Sequence, residues 1–430
     1  MEPGAAQAGC SLPTELQDAI ILQLGPAERR NVASVCRHWE EVVRSQQRRL
    51  DLGNLLGSER AAAVQALLAG VHKRRSQLQE LSAAVEMPEG WPTLAIVISR
   101  LDATVLHTLH IWGGHSALPP STTLCLTSLR RLVLRDLKQA PPDATLLSQL
   151  THLELHYSGA VYGWIDVGDE VVLPDSLAAL RQLREISLSW TPGDNIDGDW
   201  MDLANPEMLA RLPALKYASL DSFELPNLDW LQGLRTVTRL ALCNLRTYEV
   251  AGGVGTTPFS TDSFSTALEP LVQLRFLDLQ DCGLTELPAS VAALPCLRLL
   301  NLQDNPLRRL PAGPYQRSLE VLNLEGVKLH ILERMVPALH GMPRLAVLGI
   351  RSSGPTGGPY GLQFRSRVRE VLDGLPALKT LHLSGYPNYA GVLRRELPAL
   401  DMRQHCLCTT DYQLEAEGTG QRSSSSRDCQ

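Results

Sequence analysis

The residues best equipped for chemistry in this chain are His110, His152, Glu154 and His156, since imidazole and carboxylate groups are the usual ligands of transition metals. His152 and His156 are four residues apart, and on an extended strand that spacing separates them by about 13 Å. Two groups that far apart cannot share one tetrahedral ion, so a hydrated binding surface is the expectation. Cys406-Leu-Cys408 has no second pair at zinc spacing and reads as a degenerate end of the pattern around it. Gly252-Gly-Val-Gly255-Thr-Thr lacks the Gly-Lys-Ser/Thr of a phosphate-binding loop and reads as a flexible insertion. Asp194, Asp197 and Asp199 miss the i, i+2, i+4 rhythm of a calcium loop. No nucleophile stands with a general base, so no catalysis, cofactor or resident metal is expected. The chain reads as a binding protein.

The elements that position these side chains are most legible between Leu274 and Leu307. One pattern is written there twice: Leu274-Arg-Phe-Leu277-Asp-Leu279-Gln-Asp-Cys282-Gly-Leu284, then Leu297-Arg-Leu-Leu300-Asn-Leu302-Gln-Asp-Asn305-Pro-Leu307. Leucines two apart point to one side of a strand. Leu277, Leu279, Leu300 and Leu302 therefore face a core, and Asp278 and Asn301 are expected to face solvent. The second copy starts 23 residues after the first, enough for the crossover that a parallel neighbour needs. Equivalent pairs start at Leu50, Leu81, Leu109, Leu132, Leu153, Ile186, Ala218, Leu240, Leu322, Leu348 and Leu381, with a degenerate last one at Leu400-Asp-Met402.

This pattern, L-x-x-L-x-L-x-x-N/C-x-L, resembles the leucine-rich-repeat family, with Cys282 and Asn305 in the place of the residue that ends the strand with a turn. The resemblance implies an α/β solenoid, a horseshoe with a parallel concave sheet, backed by helices or 3₁₀ turns. Residues 58–72 read as a helix on its convex side.

The N-terminal segment is built differently. Thr14 with Gln17 can make a capping box, and Leu16, Ile20 and Leu24 follow at helical spacing before Gly25-Pro26. Val32, Val35, Cys36, Trp39 and Val43 form a second apolar stripe. About 35 residues in short helices cannot bury enough surface alone, so this area must meet another body. A cap on the first repeat would use the apolar face, but it would not require this order of Pro, Glu, Cys and Trp. Leu12-Pro13-x-Glu15-Leu16, an Ile-rich helix, and Val35-Cys36-Arg37-His38-Trp39 resemble an F-box. That resemblance implies docking on the Skp-type adaptor of SCF cullin-RING ubiquitin ligases through Leu12, Pro13, Glu15, Leu16, Ile20, Leu24, Val32, Val35, Cys36 and Trp39, and it implies a cullin beyond the adaptor. The expected organisation is a flexible N-terminus at 1–11, a short helical F-box at 12–48, a solenoid at 49–410, and a disordered tail at 411–430 without apolar residues to bury.

A partner surface is expected on the strand face and on one edge of the repeats. Four repeats carry extra residues just after the strand, at Tyr157 to Pro174, Trp190 to Pro206, Leu245 to Phe264 and Arg351 to Phe364. Insertions at one point of a stacked repeat emerge along one edge, and these are rich in Trp and Tyr, the residue types of interface hot spots. The rings either stand exposed as a lip or fold back over the array. The candidate substrate-binding residues are Trp112, Arg131, Arg135, His152, Glu154, His156, Tyr217 and Asp221 on the floor, with Trp164, Trp190 and Trp200 on the lip.

Composition sets the remaining bounds. A net charge of −6 and a pI near 6.0 leave no basic stripe for nucleic acid. Nine scattered cysteines read as reduced thiols of a cytoplasmic or nuclear protein. The stretch MEPGAAQAGC lacks the features of a secretory signal, and no apolar run approaches a membrane span, so a soluble protein is expected. The family resemblances together imply a substrate-recognition subunit that holds a protein for ubiquitin transfer by other subunits. A repeat scaffold in a cytoskeletal or regulatory assembly, and a regulator of the GTPase-activator kind, would use the same surface without ligase activity.

Overall fold

The computed structural model describes residues 48–52, 78–85, 90–102, 104–113, 126–137, 147–159, 170–192, 200–248, 256–327, 329–351, 369–384 and 400–403. The F-box-like segment, the 58–72 helix and the C-terminal tail lie outside these residues. The chain divides into two compact units, one comprising Met1–Gly114 and Leu118–Val133, the other His115–Ala117 and Leu134–Gln430.

In the first unit, strands β1 (Arg49–Asp51), β2 (Glu80–Ala84) and β3 (Thr108–Trp112) pair in parallel, and helix α1 (Gly90–Ser99) lies between β2 and β3 in sequence. Leu50 stands opposite Leu81, and Leu81 opposite Leu109. Strand β4 (Arg131–Leu137) spans the division.

The second unit continues with β5 (His152–Ser158), β6 (Glu170–Val171), β7 (Glu185–Thr191), β8 (Met201–Leu203), β9 (Tyr217–Asp221), β10 (Phe223–Leu225), β11 (Arg239–Cys243), β12 (Arg246–Tyr248) and β13 (Thr256–Pro258). Then follow α2 (Thr261–Leu268), β14 (Phe276–Asp278), α3 (Ala289–Ala292), β15 (Leu299–Asn301), β16 (Val321–Leu324), α4 (Leu329–His340), β17 (Val347–Arg351), β18 (Thr380–Ser384) and β19 (Asp401–Arg403). Its main sheet runs β5-β7-β9-β11-β14-β15-β16-β17-β18-β19, all parallel. Leu153, Ile186, Ala218, Leu240, Leu277, Leu300, Leu322, Leu348 and Leu381 form one in-register column. All of them are buried. This is the leucine-rich-repeat solenoid that the spacing implies. One register differs: Met402, not Leu400, stands opposite Leu381, so the last pair is offset by two residues.

Short crossovers close the back of the repeats. Several are 3₁₀ turns, at Asp175–Ala179, Pro206–Arg211, Asp229–Gly233 and Pro314–Arg317, and the first three bury Leu177, Leu209 and Leu231. α2 starts at Ser260, whose hydroxyl accepts from the Ser263 N–H at 3.0 Å. Asn305 ties neighbouring repeats together. Its Oδ1 accepts from the N–H groups of Cys282 and Leu284, and its amide donates to the carbonyls of Leu279, Leu302 and Gln303. The Cys282 thiol donates to Leu242 O at 2.8 Å, and burial pushes its pKa up to about 12, which makes it an inert filler of the Asn position.

One expectation about strand geometry needs correction. Asp278 and Asn301 lie on the face away from the leucine column, yet they are only 3% and 1% exposed. Each bends back to accept the N–H two residues on, from Gln280 and Gln303 respectively, and Asn323 does the same for Glu325. These side chains therefore act as turn formers rather than as solvated groups.

The strand ends share a backbone feature. Four residues past the first apolar position of the repeat, Gly113, Asp136, Ser222, Asn244, Asp281, Asp304 and Gly326 have φ between 49° and 89°. Gly, Asn and Asp tolerate this left-handed conformation best. At Gly326 a Cβ would sit 2.5 Å from Asp304 Oδ1, so the close approach also demands glycine. In the repeats of β5 and β7 the equivalent positions are Tyr157 and Trp190, and there the strands run on to Ser158 and Thr191.

Candidate binding surface on the outward strand face

Residues one before, one after and three after the first apolar position project from the sheet face opposite the leucine column. In the first unit this face carries His110 and Trp112, whose rings meet edge to face at 6.0 Å, and the exposed Arg131. Arg135, in the second unit, is half-buried.

The densest polar group lies on β5, β7, β9 and β11. Registration places His152, Glu185, Tyr217 and Arg239 in one row across the four strands. Arg239 Nη2 donates to Glu185 Oε1 at 2.8 Å, and its guanidinium stacks 4.8 Å above the Tyr217 ring. His152 Nε2 approaches Glu185 Oε2 at 3.4 Å from the other side. A second row joins His156, Ser189 and Asp221. His156 Nδ1 bonds the Ser189 hydroxyl at 2.5 Å, while its Nε2 lies 3.8 Å from Glu154 Oε2, beyond hydrogen-bond reach. Burial pushes the Asp221 carboxyl above the usual carboxylate range, opposed by the Ser222 hydroxyl, which donates to it at 3.0 Å, and by His156.

The structure thus brings His152, Glu154, His156, Tyr217 and Asp221 together, and it adds Glu185, Ser189 and Arg239, which sequence reasoning passed over. The signal for them was available: aligning the leucine pairs puts Glu185 and Arg239 in the column of His152 and Tyr217. Among the described residues, no three His, Cys, Asp or Glu side chains are placed to hold a metal ion. What the rows offer is paired charges, hydroxyls and a stacked ring, suited to contacting another polypeptide.

The expected lip is corrected. Tyr157 is 1% and Trp190 4% exposed, and Phe259 and Phe264 are buried as well. These rings are buried in the part of the chain that forms a second sheet: β5, β7, β9 and β11 are followed by the short strands β6, β8, β10 and β12, and these, with β13, pair in the order β13-β12-β10-β8-β6. Tyr157 meets Phe223 of β10 edge to face at 6.3 Å. Trp200 is half-buried; its Nε1 donates to Asn244 Oδ1 at 3.0 Å, and its ring lies 4.8 Å beneath the Arg246 guanidinium. Trp164 lies outside the described residues, as do the F-box positions Leu12 to Trp39.

With this geometry in hand, the comparisons with known proteins add the following. The F-box domain model matches residues 10–51. No curated protein matches the chain. Similar solved structures include a leucine-rich-repeat protein of Leptospira interrogans, at 17% identity over 76% of this chain and 90% of that one, with a TM-score of 0.39. An internalin of Listeria monocytogenes matches at 16% identity over 75% and 93%, with a TM-score of 0.38.

Proposed function

We propose that this chain, an F-box at residues 10–51 joined to a leucine-rich-repeat array, is a substrate-recognition subunit of an SCF-type ubiquitin ligase. The F-box and the repeats are both interaction modules, which supports an adaptor or receptor role. In this reading the F-box docks on a Skp-type adaptor, and through it on a cullin. The array holds a protein substrate over the His152–Glu185–Arg239 row, and other subunits transfer ubiquitin. A receptor of this kind works in the cytoplasm or nucleus, where the ligase acts.

The observation that carries the proposal is the F-box match itself, since it covers Leu12, Pro13, Leu16, Ile20, Val35 and Trp39. The test is co-purification of adaptor and cullin with the full chain and with a Leu12→Ala/Pro13→Ala variant. Capture by the native chain and loss in the variant, with an unchanged melting profile, supports the reading; equal capture by both overturns it.

A further inference from the structure

Along the second sheet, Glu170 of β6 lies in register with Asp202 of β8, and Asp202 with Glu224 of β10. Three carboxyl groups therefore stand side by side across strands spaced about 4.8 Å apart, an arrangement that repels when all are ionised. The next position in the row is Arg246 of β12, which register sets opposite Glu224. Its guanidinium is turned elsewhere, donating to Leu245 O and Asp281 O, approaching Asp281 Oδ1 at 3.4 Å and stacking on Trp200. The cation that could neutralise Glu224 is thus committed to the neighbouring repeat. Glu224 is left beside the Asp202 carboxyl, in register with it on the neighbouring strand, and two ionised carboxylates at that spacing repel.

We propose that the second sheet is a pH-sensitive clasp, held closed while Glu224 carries a proton in the row it forms with Asp202 and Glu170, and loosened when Glu224 ionises there. Burial, then the Asp202 charge and hydrogen bond, push Glu224 up to about 7. For an acid raised in the folded state, the associated stability is complete below its ordinary value of 4.5 and is lost as pH climbs through about 7. The clasp therefore weakens as pH rises toward neutrality, and little of this stability is left to lose above about 7. Its groups on the described strands are Glu170 from β6, Asp202 from β8 and Arg246 from β12. It meets the main sheet at an aromatic contact, where Tyr157 of β5 packs on Phe223 of β10. Opening would expose those rings beside the polar rows, so the accessible surface there becomes a function of pH.

The experiment is amide hydrogen exchange on the full chain, followed by mass spectrometry of peptides spanning β8 and β10, from about pH 6 to about pH 8.5 and corrected for intrinsic exchange rates. In the native chain, protection of these strands should fall about tenfold over the range, while β14 to β16 stay constant. Glu224→Gln keeps a hydrogen-bonding side chain without the titration and should abolish the pH response. Asp202→Asn neutralises the pair from the other strand and decides the matter if the first variant fails to fold. A native chain without the response, or a response that persists in the folded variants, overturns the proposal.

Discussion

Asp278 and Asn301 stand directly opposite each other on β14 and β15, both buried, each accepting the backbone N–H two residues ahead of it. One of the pair is a carboxylic acid and the other its amide. The distinction has consequences, because a second carboxylate here would stand in register beside the first in a buried row, where solvent screens little. Asn301→Asp keeps the turn-forming oxygen but sets like charges face to face. We expect it to destabilise the chain by about 1–2 kcal/mol at neutral pH, with the loss largely recovered in acid. Leu300→Asp, which puts a charge into the leucine column itself, should unfold the middle repeats. Urea titrations of the two variants check both; equal midpoints would refute the register.

Asn305 carries five hydrogen bonds, three of them to Leu279, Cys282 and Leu284 of the preceding repeat and two to Leu302 and Gln303 of its own. Asn305→Ala should cost about 2–4 kcal/mol by leaving the Cys282 and Leu284 N–H groups buried without acceptors. A chemical-denaturation midpoint unchanged from the native chain would show that the ladder is dispensable.

Glu185 and Arg239 form an ion pair whose side chains are 35% and 21% exposed. At that exposure solvent screens most of the attraction. A double-mutant cycle with Glu185→Gln and Arg239→Gln should give a coupling of only about 0.5–1 kcal/mol, shrinking with added salt. Their larger effect should be on partner capture, since both are positioned on the candidate surface. Variants that fold normally and capture the partner undiminished would move the site off this row.

Trp190 and Trp200 look equivalent in sequence, but the fold separates them. Trp190→Ser removes a core ring and should cost about 3–5 kcal/mol. Trp200→Ser removes a half-buried ring stacked beneath Arg246 and should cost about 1–2 kcal/mol. Thermal melts decide this, and similar Tm values for the two would contradict the difference in burial between the rings.

Periodicity alone determined the repeat. Leucines two apart can bury themselves only on one side of a strand, and steps of 22 to 37 residues suit parallel neighbours joined by a crossover, so the column from Leu153 to Leu381 was legible before any coordinates. The Leu-Pro-x-Glu-Leu and Val-Cys-Arg-x-Trp ends of the F-box were legible for a related reason, as fixed residue types at fixed spacing. Tertiary structure alone decided where the rings went. Tyr157 and Trp190 stand where other repeats turn left-handed, a conformation that suits neither, so the strands continue there and both rings are buried, Tyr157 against Phe223 of the second sheet. That sheet assembles from two- and three-residue strands far apart in the chain, too short to leave a period of their own. Asp278 and Asn301 escaped the sequence for the same reason. Strand alternation reports which side a residue faces, whereas burial on that side depends on what the neighbouring repeats place beside it.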